Sequence, residues 1–118
     1  IGNQVHILWH ELNARRGVAS SIDSLTAYCS VSYEFRTRIN ALEALQRLNS
    51  CTDALVPHLF SALTHFNARL RAPAGTVCAY FLQQTAPRER LMRYYQAHAW
   101  PVADAEFLEP LFGKAPGQ

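Results

Sequence analysis

Phe35-Arg36-Thr37-Arg38-Ile39-Asn40-Ala41 and Ala68-Arg69-Leu70-Arg71-Ala72-Pro73-Ala74 carry two arginines and an alanine at the same offsets. Arg36 and Arg69, Arg38 and Arg71, and Ala41 and Ala74 are each 33 residues apart. Self-similarity at a period of a few tens of residues marks stacked helix pairs, in which each unit covers the apolar face its neighbour leaves open. An arginine at the start of the second helix of such a unit is expected to bridge to the preceding turn or to the next unit rather than to hold a ligand.

The first copy opens the strongest amphipathic pattern in the chain. From Tyr33 to Leu48, Phe35, Ile39, Leu42, Leu45 and Leu48 form one stripe, with Glu34, Arg38, Glu43 and Arg47 off it. Upstream, Gln4 to Arg16 bears Val5, Leu8, Trp9 and Leu12 at helical spacing, read as the face turned to the core, with Gly17 as the stop. Ser20 or Ser21 can cap a helix through Ile22, Leu25 and Tyr28. Downstream, Asn49 and Ser50 break the pattern, and Thr52 or Asp53 can start a helix through Leu55, Leu59, Phe60 and Leu63, with Pro57 close enough to that start to be tolerated or to bend it. Asn67 caps the second copy, in which Pro73 and Gly75 are expected to interrupt or kink the helix before Val77, Cys78, Phe81 and Leu82. Thr85 with Pro87 signals a further start through Leu91, Met92, Tyr94 and Tyr95, ended by Trp100 and Pro101. Asp104 can cap a last helix through Phe107, Leu108 and Leu111 that stops at Gly113.

Nowhere do five or six residues alternate between apolar and polar with turn signals at both ends, so strands are not expected. The reading is all-α: about seven helices in antiparallel hairpins, stacked right-handed because the connections are short. It forms one helical-repeat domain over residues 1–113 with a loose tail at 114–118.

The 118 residues suffice for one core, and 49% hydrophobic against 17% charged residues is a folded composition. The net charge of +2, with ten arginines spread over the chain, does not suggest a nucleic-acid surface. No apolar run approaches the roughly 20 residues that cross a bilayer, and no leader opens the chain, so it reads as soluble, with its compartment undecided. Cys29, Cys51 and Cys78 lack the close spacing of a zinc site and read as buried free thiols, although one disulfide among them stays open.

Chemistry is sparse. His10-Glu11 invites the metallopeptidase pattern of two histidines one turn apart beside a glutamate, but the position four after His10 is Ala14. His6 and His10 could chelate a metal only as a weak two-ligand site. His58, His65 and His98 have no paired cysteine or carboxylate from which to argue a nucleophile and base. Arg88, Arg90 and Arg93 around Glu89 read as a solvated helix face, with Tyr94 and Tyr95 on the packed side. No catalytic, cofactor-binding or metal-ligating residue is assigned to this chain.

Leu59 to Leu82 is similar to a HEAT-type repeat: helix, Asn turn, then arginine and alanine on the second helix. The unit from Phe35 to Leu48 is similar in its second half, which makes the expected stack a short HEAT-like solenoid. The successions Tyr33 to Leu42 and Phe66 to Ala74 resemble the helical C-terminal region of zinc aminopeptidases of the aminopeptidase N and leukotriene A4 hydrolase superfamily, over residues 30–113. The resemblance implies a noncatalytic module that covers the substrate cavity of an upstream catalytic domain. The zinc ligands and glutamate base would lie in that domain, so no functional residue carries over to this chain. It implies zinc only in the parent enzyme, and an excised piece of a longer chain. The implied partner is the catalytic domain of the same parent, with no nucleic acid and no membrane. The alternative is a free-standing HEAT-like module binding a protein partner.

Overall fold

The helical periods read above appear as seven helices in the computed structural model, which describes residues 2–114. They are α1 (Gly2–Arg15), α2 (Ala19–Tyr28), α3 (Phe35–Arg47), α4 (Leu55–Leu63), α5 (Ala68–Leu82), α6 (Thr85–Ala97) and α7 (Val102–Phe112). No strand occurs among the described residues. The fold is all-α, as the absence of period-two patterning requires. Of the tail expected to be loose, residues 115–118 lie outside the described residues.

α1 packs on α2 and α3, α3 on α5, and α5 on α7, so the odd-numbered helices form a row. α2 lies against α3, while α4 and α6 lie against α5 and each other. The molecule measures 43 × 29 × 18 Å along its principal axes.

The 33-residue repeat occupies equivalent places in this row. α3 is capped by Glu34, whose carboxylate accepts the Thr37 N–H, and α5 by Asn67, whose Oδ1 accepts the Arg69 N–H at 2.9 Å. Arg36 and Arg69 are each the second helical residue, Arg38 and Arg71 the fourth. Both of the latter reach the preceding turn: Arg38 Nε donates to the Cys29 carbonyl at 3.2 Å, and Arg71 Nη1 to the carbonyls of His65 (2.8 Å) and Phe66 (2.7 Å). Ala41 and Ala74 are fully buried. A methyl side chain lets two helix backbones approach closely, which suits the packing of α3 on α5.

One hydrophobic core runs through the row. Leu42 and Leu45 of α3 are fully buried, with Phe35, Ile39 and Leu48 packed against them, as the stripe predicts. At the far end Phe60 meets the rings of Tyr94, Trp100 and Phe112 at centroid distances of 4.8, 5.4 and 5.1 Å. The Tyr95 hydroxyl donates to the Gly113 carbonyl at 2.6 Å, and Trp100 Nε1 to the Tyr95 carbonyl at 2.9 Å. Gly113, at φ 79°, ends α7, and Gly17, at φ 90°, follows α1.

Several local expectations change. Neither Ser20 nor Ser21 caps α2, which starts after Val18; Ser21 is buried inside it. α5 continues through Pro73 and Gly75 without interruption. The proline removes one i to i−4 hydrogen bond, but buried Leu70, Ala74, Val77, Cys78 and Phe81 hold both halves of the helix to the core. Asp104 sits inside the first turn of α7 rather than at its cap, whereas Thr85 opens α6 where the sequence signals a start. Arg90 is not simply solvated. Its Nε pairs with Asp53 at 2.7 Å and its Nη1 donates to the Cys51 carbonyl at 2.6 Å, clipping α6 to the loop before α4. Cys29, Cys51 and Cys78 are buried and unpaired. Burial pushes the Cys29 and Cys78 thiols up to about 12 and Cys51 to about 11, so all three are poor nucleophiles at neutral pH.

Candidate functional site

The largest departure from the sequence reading is the orientation of α1. Val5, Leu8, Trp9 and Leu12, expected to face the core, are 57, 61, 59 and 55% exposed. The face turned inward is mostly polar, with Ile7 as its buried apolar anchor. Gln4 Nε2 donates to Thr37 Oγ1 at 3.5 Å, and the Gln4 side-chain carbonyl accepts from Asn40 Nδ2. Helical periodicity reports that one face is apolar and leaves open what covers it.

Glu11 anchors this polar inner face. It is 7% exposed. Arg47 of α3 grips it with both Nε and Nη2, at 2.9 and 2.8 Å, and Arg15 Nη2 adds a bond at 2.9 Å. The forked bond from Arg47 chiefly holds the Glu11 carboxyl below its ordinary 4.5, against the opposing effect of burial. A group with a depressed folded pKa contributes stability that is complete above its unfolded value and lost as pH falls through the folded one. Glu11→Ala is expected to cost about 1–3 kcal/mol near pH 7, below the full penalty for a broken buried pair because Arg15 and Arg47 are half-exposed and can be rehydrated. Denaturant titrations of Glu11→Gln should show a smaller loss of stability than the wild type as pH drops below 4.5. Identical pH slopes in the two proteins would refute this role.

The histidines have packing roles. His6 Nδ1 lies 3.3 Å from the Tyr28 hydroxyl and His10 Nδ1 3.4 Å from Ser21 Oγ, so both face α2. His98 Nδ1 donates to the Tyr94 carbonyl at 2.7 Å, with its ring stacked on Tyr94. Among the described residues no three His, Cys, Asp or Glu side chains gather where they could hold a metal ion. No helix among the described residues is long and apolar enough to cross a membrane.

A second feature lies where the α2–α3 loop, the start of α3 and the α4–α5 turn meet. Val31, Tyr33, Glu34, Phe35, Arg38 and His65 line an open cleft of about 500 Å³. Arg38 is the one fully buried member, 2% exposed, and Nη2 of its guanidinium has no hydrogen-bond partner among the described residues. Burial and then the Arg38 charge push the His58 imidazole of α4 below its ordinary pKa. His65 stands edge-on to Phe35 at 4.9 Å and stacks on Phe66, which is 84% exposed. The repeat pointed to Arg38 as a structural arginine, which its bond to Cys29 supports; its unmatched nitrogen depends on which acids the fold leaves out of reach.

No protein-family model, curated protein or solved structure matches the chain.

Proposed function

We propose that this chain is a noncatalytic helical module that docks onto another protein surface through the outer face of α1. The observation that carries the reading is the inverted α1: polar side chains turned into its own fold and Val5, Leu8, Trp9 and Leu12 turned out. Full burial of such side chains is worth roughly 1.5–3 kcal/mol each, a gain that this fold forgoes and a partner would collect. Together they form a contiguous stripe at the spacing with which helices enter apolar grooves.

The partner that the resemblance suggests is the catalytic domain of a zinc aminopeptidase of the aminopeptidase N and leukotriene A4 hydrolase type, with these helices covering its substrate cavity in HEAT-like fashion. The free-standing interaction module uses the same face and differs only in what it binds. The row of odd-numbered helices favours either over an enzyme with its own active site, because the side chains it brings together are packing groups.

Two measurements test the reading. Hydrolysis of aminoacyl nitroanilides by the isolated chain, with and without added zinc, is expected to be absent; robust turnover would contradict the noncatalytic assignment. The double variant Leu8→Glu/Trp9→Ser is expected to lose binding of a hydrophobic dye while each change shifts the unfolding free energy by no more than about 0.5 kcal/mol, as for exposed sites. A loss of several kcal/mol would mean that the stripe is packed within the monomer. Concentration-dependent self-association abolished by the double variant would replace the catalytic-domain partner with a second copy of the chain.

A further inference from the structure

The cleft at Arg38 contains a charge without a partner. Of the ion pairs among the described residues, Glu11 takes Arg15 and Arg47, and Asp53 takes Arg90; none includes Arg38. Its single hydrogen bond, from Nε to the Cys29 carbonyl, leaves Nη2 in a site screened from bulk water. A buried cation so placed is costly, and buried polar groups in native proteins are nearly always met. Arginine stays charged in proteins, so the mismatch is not relieved by loss of a proton.

The surroundings narrow the kind of group that would meet it. His65 Nδ1 accepts the Asn67 N–H at 3.0 Å, which assigns the neutral-ring proton to Nε2 and gives the cleft a second donor. Glu34 also lines the cleft, but its carboxylate already accepts the N–H and hydroxyl of Thr37, and the Thr37 bonds hold its pKa below the ordinary value. It makes no ion pair with Arg38, which leaves the guanidinium without a carboxylate. Phe35 and Val31, with the ring of Tyr33, make the rest of the wall apolar. A planar carboxylate suits the guanidinium fork, and an apolar body suits this wall.

We propose that this cleft binds a small monocarboxylate with an apolar body, its carboxylate on Arg38 and His65 and its body against Phe35 and Val31. The site is separate from the docking face on α1, and its existence does not depend on that reading.

Benzoate is the test probe, with benzamide as its uncharged counterpart and inorganic phosphate as the competing oxyanion. Titrations followed by backbone and arginine Nε–H resonances should show saturable benzoate binding that shifts Arg38, Asn67 and Phe35. Benzamide and phosphate should each bind at least ten-fold more weakly. Arg38→Met should abolish benzoate binding, and Phe35→Ala should weaken it several-fold. Should Arg38→Met fail to fold, the benzoate-to-benzamide ratio in the wild type and the Phe35→Ala titration still decide. Equal binding of benzoate and benzamide, phosphate binding as tight as benzoate, or no saturation with benzoate would each overturn the proposal.

Discussion

Phe60→Ala is expected to lower the unfolding free energy by about 3–5 kcal/mol, the largest effect of any single truncation considered. Phe60 is 1% exposed, and its ring is the common neighbour of Tyr94 and Trp100, which bound the α6 end, and of Phe112 at the end of α7. Offset ring pairs add about 0.5–1.5 kcal/mol beyond area burial, and this one side chain takes part in three. Its loss removes the transfer free energy of a phenyl group and leaves a hole bordered by rigid rings that collapse poorly. Domains of this size have about 5–15 kcal/mol of net stability, so the variant should approach the unfolding threshold at body temperature. Urea denaturation followed by Trp100 fluorescence in a Trp9→Phe background checks it. A loss under about 1 kcal/mol would mean that α7 is not held to α4 as described.

Leu45→Ala is expected to cost about 2–5 kcal/mol. Leu45 is fully buried on α3, the helix that touches α1, α2 and α5 and so connects the N-terminal hairpin to the rest. Deleting its isobutyl group should destabilise the N-terminal half and the repeat together, giving one cooperative transition at a lower midpoint with an unchanged denaturant slope. Two separated transitions would show that the hairpin α1–α2 unfolds apart from α3. Leu45 and Leu8 make the contrast sharp. They are the same residue type at helical stripe positions, one 0% and the other 61% exposed, and only the first should matter to stability.

The legible part of the fold was its local part. The stripe of α3, the cap at Asn67 and the stops at Gly17 and Gly113 follow from spacing, capping and backbone freedom, all settled within a few residues of one another. Boundaries slipped where tertiary packing outweighed a local signal. α5 passes through Pro73 because five buried side chains outweigh one missing hydrogen bond, and α2 starts before its serines because Ser21 is buried rather than left free to cap.

The candidate sites were hidden for a different reason. Val5, Leu8, Trp9 and Leu12 have the pattern of a buried face, and a pattern is the same whether a chain covers it or leaves it for a partner. Glu11 looked like half of a catalytic motif, but it is the acid that Arg47, 36 residues away, binds with two nitrogens.

From its order of residues alone, this protein is determined to be helical, with about seven stretches that coil, two of which carry arginines and an alanine at the same offsets. Those features depend on backbone hydrogen bonding and on the 3.6-residue period, which neighbouring residues enforce. The tertiary structure alone decided that α1 turns its apolar side outward and that Arg38 is buried without an acid. Both depend on which distant side chains meet, and long-range pairing has no signature in local spacing.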